Sequence, residues 1–319
     1  MTRRNIRTHR SHRSAFLAVL AFLPLALLPA LTTGCGSGSS SEKKDPFTRS
    51  YFFAGGRNPT GVAVAQNGDV FQCSLFGPLV KFTDFGKPVG DTQQQAIVLD
   101  PVEYQKSGLT AVWDIAVSPR DGTVYVLGHI ATEVGGFIGA FSPDGRFLFR
   151  FGHDRASGRF LQGYGDIAVD RAGHVYAVGG SLVNSSETEP LSSVSIFDAG
   201  SGNYLRAIGN TIGTSEPEAR KVTVDKDDNL YVNHRGQTSV FSPSGQLLRK
   251  ISIPPAIGDL VVDSHGNLYT SNLSLLRKYS PSGGLIAETS VNGGILNLAM
   301  DAADNLYVAG GGTSVFPQN

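Results

Sequence analysis

Five polar residues recur at one position of an internal repeat, and their types and spacing are suited to binding chemistry. Each stands four residues before a repeated, usually acidic position of the chain. They are Asp114, Asp166, Lys221, Asp259 and Asn297. Carboxylate and amide oxygens are the ligands that calcium prefers. The sequence predicts that these side chains meet at the mouth of a central channel, where they would bind a cation or a polar ligand.

Histidines provide a second set of candidate ligands. His129, His153 and His234 are expected on the same face as the five polar residues, and imidazole nitrogen suits zinc. The candidate metal ligands are Asp114, Asp166, Asp259, His129 and His234. Polar residues at such positions also cap strands or pair with a neighbour such as Lys221. The sequence leaves both interpretations open. Calcium or zinc are the ions that would fit, and no cofactor is required.

The elements that must position these residues come from a repeat that begins after residue 46. Its template is apolar-x-apolar-Asp, a polar turn and then apolar-Tyr, and it is clearest in residues 222–231, 260–269 and 298–307, with three looser copies before them. The alternating apolar residues are rich in Val, Ile, Leu and Tyr, which favours strands. Turn pairs such as Asn67-Gly68 suit tight hairpins. No amphipathic helix is predicted after residue 46.

Two further strands complete each copy. A third strand ends in an aromatic residue and leads into a turn such as Ser242-Pro243-Ser244-Gly245, which a fourth strand follows. Four antiparallel strands in each of six copies predict an all-β, six-bladed β-propeller. The sixth copy lacks a fourth strand, and residues 49–55 look like one. An N-terminal strand is therefore predicted to complete the last blade, which would close the ring and remove an open sheet edge.

Residues 225–232 and 263–269 resemble NHL repeats, and the resemblance covers roughly residues 49 to 319. It implies the propeller fold, and a binding or scaffolding role more often than catalysis. The repeated acids are Asp170, Asp225, Asp263 and Asp301. We interpret them as structural residues that hold their hairpin turns by hydrogen bonds.

The N-terminal residues resemble a targeting signal. Five Arg and two His precede a 17-residue apolar run over 15–31, which is typical of an export signal. A transmembrane anchor is the alternative, but a helix of this length is short for a bilayer and two prolines would disrupt it. The small residues before Cys35 resemble the lipobox of bacterial lipoproteins, although Thr32 stands where that family has Leu. The resemblance implies cleavage before Cys35 and a lipid on its thiol. An ordinary secretory signal is the other interpretation.

The predicted organisation is a signal peptide over 1–34, a lipidated Cys35 with a flexible polar linker over 35–45, and a propeller over 46–319. It predicts a monomer in the cell envelope, tethered through Cys35 to a membrane on its extracytoplasmic side. The export route, the membrane and the leaflet are left open. If Cys35 is acylated, Cys73 is left without a partner for an intramolecular disulfide.

Charge argues against nucleic acid as a partner. The 27 basic residues include five Arg before residue 35, where there is no acid, so the rest of the chain carries 22 basic against 27 acidic residues. A mildly acidic protein without a Lys/Arg block gives no support to nucleic-acid binding.

Loop lengths indicate where a partner would bind. The first hairpin of each copy hardly varies, whereas the connections at the opposite end lengthen over blades 1–3, as in residues 181–193. Insertions confined to one face usually mark a binding face, although tolerant loops also drift. The sequence favours a binding or scaffold module for a protein, peptide or glycan partner, through the long-loop face of blades 1–3.

The alternative is a metal-dependent hydrolase or lyase with its site at the channel mouth. The lactonase and gluconolactonase group of six-bladed propellers binds its metal with an acid in the first blade, and here Gly61 heads that strand. The amidating-lyase group uses three channel histidines, and the spacing of the histidines here does not match. No nucleophile elbow, phosphate loop or His-Glu zinc motif is present. The sequence leaves an enzyme open and favours a binding module.

Overall fold

The structure, a computed structural model, describes most of the chain after residue 58. The described residues are 47, 51–53, 59–76, 79–82, 97–98, 100–133, 135–154, 159–161, 165–178, 194–208, 219–234, 237–254 and 258–317. The predicted signal peptide, Cys35, the linker and the long loop over 181–193 lie outside them. Contacts between Cα atoms group the chain from Lys44 to Asn319 into one compact unit. Within the described part, no helix has the length and apolar character needed to cross a bilayer.

The alternating segments of the first three repeats form three four-stranded antiparallel sheets, which are blades 1 to 3. Blade 1 consists of β2 (Pro59–Val64), β3 (Val70–Ser74), β4 (Val80–Phe82) and β5 (Ile97–Val98). Blade 2 consists of β6 (Ala111–Val117), β7 (Val124–His129), β8 (Gly136–Phe141) and β9 (Phe147–Phe151). A small hairpin of β10 (His153–Asp154) and β11 (Arg159–Phe160) follows. Blade 3 consists of β12 (Asp166–Val169), β13 (His174–Val178), β14 (Val194–Asp198) and β15 (Tyr204–Ile208).

The last three repeats form blades 4 to 6 in the same way. Blade 4 consists of β16 (Lys221–Val224), β17 (Leu230–His234), β18 (Gln237–Phe241) and β19 (Leu247–Ile251). Blade 5 consists of β20 (Leu260–Val262), β21 (Leu268–Asn272), β22 (Leu275–Tyr279) and β23 (Leu285–Ser290). Blade 6 consists of β24 (Ile295–Met300), β25 (Leu306–Gly310), β26 (Thr313–Phe316) and the N-terminal β1 (Tyr51–Phe53). The first strand of each blade contacts the first strand of the next, all the way round. The predicted six-bladed propeller is confirmed.

The ring closes where the first and the last strand of the propeller meet in one sheet. β1 lies antiparallel to β26, with Tyr51 opposite Val315 and Phe53 opposite Thr313. The predicted completion of the last blade by an N-terminal strand is therefore confirmed. This pairing joins the first and the last strand of the propeller in one sheet. It also covers a sheet edge that would otherwise be open.

The repeated Asp organises the first hairpin in blades 3 to 6. One oxygen of Asp225 accepts the backbone N–H groups of Asp227 and Asn229, each at 2.9 Å. The other accepts the Asn229 amide at 2.9 Å and the Tyr231 hydroxyl at 3.3 Å. The same arrangement recurs at Asp263 and Asp301. The Asp, Asn and Tyr of the template are thus one hydrogen-bonded turn, as the structural interpretation predicted.

One short helix was not predicted. α1 (Pro101–Ser107) connects blades 1 and 2, with the Asp100 side chain accepting the Val102 N–H at its start and Gly108 in the left-handed conformation at its end. These are ordinary helix boundaries: an Asp N-cap, Pro in the first turn and a C-terminal Gly. A seven-residue helix is too short for the period of its apolar residues to reveal it.

Candidate functional site

The six inner strands surround a central channel of about 460 Å³. Its wall is made of small or medium side chains, two residues after each of the five polar residues and after Gly61 of blade 1, namely Ala63, Ala116, Ala168, Thr223, Val261 and Ala299. The cavity extends from the polar set to the first hairpins, where Gln66, Pro119 and Asp304 line it. We call the end with the hairpins the hairpin face and the opposite end the loop face.

The structure brings the five predicted polar residues together at the loop-face end of this channel, and we call them the polar ring. The three Asp and Asn297 are only 2–4% exposed. These side chains are buried because they form hydrogen bonds that cross from one blade to the next.

Blades 2, 3 and 4 are joined through carboxylates of the polar ring. Asp114 accepts the backbone N–H of Ile167 in blade 3 at 2.8 Å. Asp166 accepts the N–H of Val222 in blade 4 at 2.7 Å. In each case the acceptor stands at the ring position of one inner strand, and the donor is the large aliphatic residue just after the ring position of the next. A side chain of one blade therefore satisfies a buried backbone donor of its neighbour, which would otherwise be costly to bury.

The junctions that close the ring use the same device. Asp259 accepts the N–H of Leu298 in blade 6 at 2.7 Å. Asn297 accepts the N–H of Val62 in blade 1 at 2.7 Å and donates its amide to Asp114 at 2.9 Å. Four of the six junctions between blades, which we call seams, thus have a side-chain fastener.

The two remaining seams depart from the pattern for reasons visible in the residue types. In blade 1 the ring position is Gly61, and a Cβ there would lie 2.7 Å from the Cys73 sulfur and 2.9 Å from Ile115 Cγ2. In blade 4 the position is Lys221, which has no acceptor for blade 5. The N–H of Leu260 instead bonds to the adjacent Asp259 at 2.7 Å.

Lys221 acts as the counter-ion of the polar ring. Its Nζ lies 2.9 Å from Asp166 Oδ1 and 3.9 Å from Asp259 Oδ1, and its side chain is 15% exposed. Burial alone would lower its pKa, but the charges of Asp166, Asp259 and Asp114 outweigh this and raise the pKa of Lys221. The ammonium group therefore remains charged beside the carboxylates.

Three carboxyls share this one ammonium in a desolvated space. Burial, and after it the charge of Asp166, raises the pKa of Asp114 well above its usual range. The same two causes raise the pKa of Asp259 to about 7, with Lys221 opposing them. Because the charged forms are held close together away from water, adding a proton to the ring is favoured near neutral pH.

The structure describes the side chains of two of the three predicted histidine ligands, His129 and His234. His129 ends β7, where its ring centroid lies 6.2 Å from that of Trp113, and His234 is fully buried at the end of β17. The side chain of His153 lies outside the described residues. Among the side chains that the structure describes, no three His, Cys, Asp or Glu are grouped so as to hold a metal ion. The oxygens of the polar ring instead accept hydrogen bonds from the protein.

Three bulges flank the polar ring on the loop face, and sequence reasoning missed them. The inner strands of blades 6, 1 and 2 each shift register just before the ring position, at Leu296, Thr60 and Trp113. Such a bulge adds an unpaired residue and re-aims its side chain. In the sequence these residues look like ordinary members of alternating strands, so only strand pairing could reveal them.

Cys73 is a packing residue at the seam between blades 1 and 2. It is buried, and burial, followed by the charge of Asp114, strongly raises the pKa of its thiol. A neutral buried thiol is a poor nucleophile. Cys73 therefore acts as a small buried hydrophobe.

Comparison with known proteins bears on the fold. No protein-family model matches the chain, and no curated protein matches it. A gluconolactonase from Xanthomonas campestris is 16% identical with a TM-score of 0.60, over 83% of this chain and 88% of that one. The WD40 β-propeller domain of Doa1 is 11% identical with a TM-score of 0.52, over 86% of this chain and 97% of that one. At such identities the likeness shows the β-propeller fold alone.

Proposed function

We propose that this protein is a lipid-tethered, extracytoplasmic, NHL-like propeller that binds a protein, peptide or glycan partner through the long-loop face of blades 1–3. The fold supports the proposal, because propellers present variable loops on a rigid ring. The Asp, Asn and Tyr turn of the last blades supports the NHL-like assignment. Cys35, after an apolar run and before a polar linker, supports the tether.

The observation that carries the binding role is how the polar ring is used. Its carboxylate and amide oxygens accept backbone N–H groups across four seams, and Lys221 neutralises part of its charge. Groups engaged in this way hold the ring of blades together. Specificity for a partner is then expected to come from the loops, where the chain varies in length from blade to blade.

Site-specific crosslinking tests the partner face. A photo-crosslinking amino acid at Ser185, in the long loop outside the described residues, should yield a discrete crosslinked partner in cells that export the protein. The matched control is the same amino acid at Ala172, which is exposed on the hairpin face of the same blade. Equal crosslinking at both positions, or none at either, would contradict a partner site on the long-loop face.

A metal-dependent hydrolase or lyase is the second candidate. It is favoured by one observation, the cavity of about 460 Å³ that ends at three carboxyls, and by a gluconolactonase among proteins of similar fold. Elemental analysis of the protein purified without chelator tests it. Calcium or zinc in a one-to-one ratio in the natural protein, lost in Asp166→Asn, would favour this candidate over the binding module.

A further inference from the structure

Four large apolar side chains are exposed on the loop face, and we call them the apolar rim. They are Phe76 (83% exposed), Leu273 (70%), Leu296 (46%) and Leu75 (37%). Leu75 and Phe76 follow β3 in blade 1, Leu273 lies between the middle strands of blade 5, and Leu296 is the bulged residue of blade 6. Exposed apolar residues are common singly, but a concentration on one face of adjacent blades calls for an explanation.

Backbone hydrogen bonds between blades draw these residues toward their neighbours. The carbonyl of Leu273 accepts the N–H of Ile295 at 2.5 Å, which places Leu273 beside Leu296. The carbonyl of Leu75 accepts the N–H of Val112 at 3.0 Å, which ties the end of β3 in blade 1 to the inner strand of blade 2. The apolar rim therefore follows the loop-face end of blades 5, 6 and 1 and reaches the edge of blade 2.

The backbone of Leu273 supplies an independent observation. It has a φ of +53°, and the other positive-φ residues besides Gly in the described chain are Asp228 and Asp304. Asn, Asp and Gly suit this left-handed conformation, whereas a bulky apolar residue there is strained. Leu273 is thus unfavourable both for its backbone and for its exposure. A residue that costs stability in two ways is accounted for if its side chain contacts something outside the fold.

Charge separates the two faces. In blades 5, 6 and 1, none of the described loop-face residues is charged (residues 74–76, 272–275, 290–296 and 310–313). The six first hairpins of the hairpin face, in contrast, carry nine Asp against three Arg or Lys. An acidic face is repelled by an anionic lipid surface, whereas an uncharged apolar face can enter the boundary between headgroups and acyl chains.

We propose that the apolar rim rests on the lipid bilayer to which the protein is tethered. The inference rests on the proposed lipid tether at Cys35. Eleven residues lie between Cys35 and Phe47, which is buried between blades 5 and 6, and an extended chain over this interval reaches about 40 Å. The tether thus keeps the propeller against the bilayer, and the contrast between the faces decides which one contacts it. The proposed partner would then be met at the membrane surface.

The single tryptophan of the chain offers a direct readout. Trp113 lies on the loop face, at the bulge in the inner strand of blade 2, and is partly buried. The protein is produced with its export signal in a bacterial host, and mass spectrometry identifies its mature N-terminus. It is then reconstituted in vesicles of phosphatidylethanolamine and phosphatidylglycerol, with or without bromine on the acyl chains. Bromine should quench Trp113 emission about two-fold, as expected for a side chain close to the acyl boundary.

Two exposed substitutions test the contact, with a matched control. The double variant Phe76→Ser, Leu273→Asn should lose about half of the quenching, because it removes the two most exposed members of the rim. Leu248→Asn changes a side chain that is 51% exposed on an outer strand, and it should retain the full effect. Since these side chains lie on the surface, the folding of each variant can be verified by its circular dichroism.

The outcomes separate the rim from the tether. If the protein floats with the vesicles and the Cys35→Ser variant does not, but bromine leaves Trp113 unquenched, the tether stands and the bilayer contact is overturned. The apolar rim would then be available to a protein. If the natural chain does not float with vesicles, the tether and the bilayer contact both fail.

Discussion

The seam between blades 3 and 4 and the seam between blades 1 and 2 join equivalent strands by different means. In the first, the buried Asp166 accepts the Val222 N–H at 2.7 Å and the Lys221 ammonium at 2.9 Å. In the second, the equivalent residue is Gly61, and the Cys73 sulfur fills the space that its side chain would take. One seam is fastened by a charged hydrogen-bonded group and the other by close packing.

The comparison teaches that the polar ring is part of the fold. Where an Asp or Asn stands at the ring position, it satisfies a donor of the next blade, and where Gly61 stands, close packing replaces it. A residue selected only for a ligand would have no reason to match the backbone of the neighbouring blade so regularly. Four mutational and pH experiments follow from this difference.

The largest effect is expected at the seam between blades 3 and 4. Asp166→Ala removes the acceptor for Val222 and leaves Lys221 buried without its closest counter-charge. Breaking a buried ion pair from one side costs about 3–5 kcal/mol, which urea denaturation would measure as a loss of free energy of unfolding. Asp166→Asn, which keeps an acceptor oxygen, should lose less. Equal stability of Asp166→Ala and the natural protein would show that the carboxylate is not a fastener.

The packed seam should respond to added volume instead. Gly61→Ala places a methyl group within 2.9 Å of both the Cys73 sulfur and Ile115, and overpacking of this kind costs about 1–3 kcal/mol. Cys73→Ala should relieve part of the clash, so the double variant should be more stable than the sum of the two single losses implies. Additive losses would contradict a direct contact between Gly61 and Cys73.

The effect of pH tests a third seam, between blades 5 and 6, where Asp259 is the acceptor. The pKa of Asp259 is about 7 in the folded protein, above the value of about 3.9 for an unfolded Asp, so the folded state binds the proton more tightly. Stability from this group is fully present below the unfolded pKa and is lost as pH rises through 7. The melting temperature should fall between pH 6 and pH 8, and the fall should be smaller in Asp259→Asn. A melting temperature that rises over this range would contradict the assignment.

The smallest effect is expected at the seam between blades 5 and 6. Besides the Asp259 fastener, this seam has a backbone contact from the Ile295 N–H to the Leu273 carbonyl, and a change of the Leu273 side chain should leave that contact intact. Leu273→Asn should raise the free energy of unfolding by up to about 1 kcal/mol, since Asn suits the left-handed backbone. A loss of stability would mean that the Leu273 side chain supports the seam.

Much of this architecture could be predicted because its determinants are local. The alternating strands, the Asp, Asn and Tyr turns and the missing fourth strand of the last repeat are all patterns within a few residues, and they led to six blades and to their closure by residues 51–53. Even the polar ring was found by its position in the repeat. Its members were expected at the mouth of the channel, but the sequence does not show which backbone donor a side chain meets in the next blade.

The features that were missed depend on strand pairing or on single residues. The bulges at Thr60, Trp113 and Leu296 arise from a register shift between strands. The left-handed backbone of Leu273 contradicts its residue type. Helix α1 has only seven residues, too few for the helical period of its apolar residues to be recognised. In each case the deciding interaction is absent from the local sequence pattern.

The polar ring fastens the blades with its own hydrogen bonds and the Lys221 ammonium group. Thermal unfolding in the presence and absence of divalent cations is the decisive measurement. A ligand that binds only the folded state raises the melting temperature with concentration. If the ring binds no ion, the melting temperature should be the same in EDTA, in calcium and in zinc. A rise with either ion that disappears in Asp166→Asn would show that the ring is a metal centre and would contradict the account.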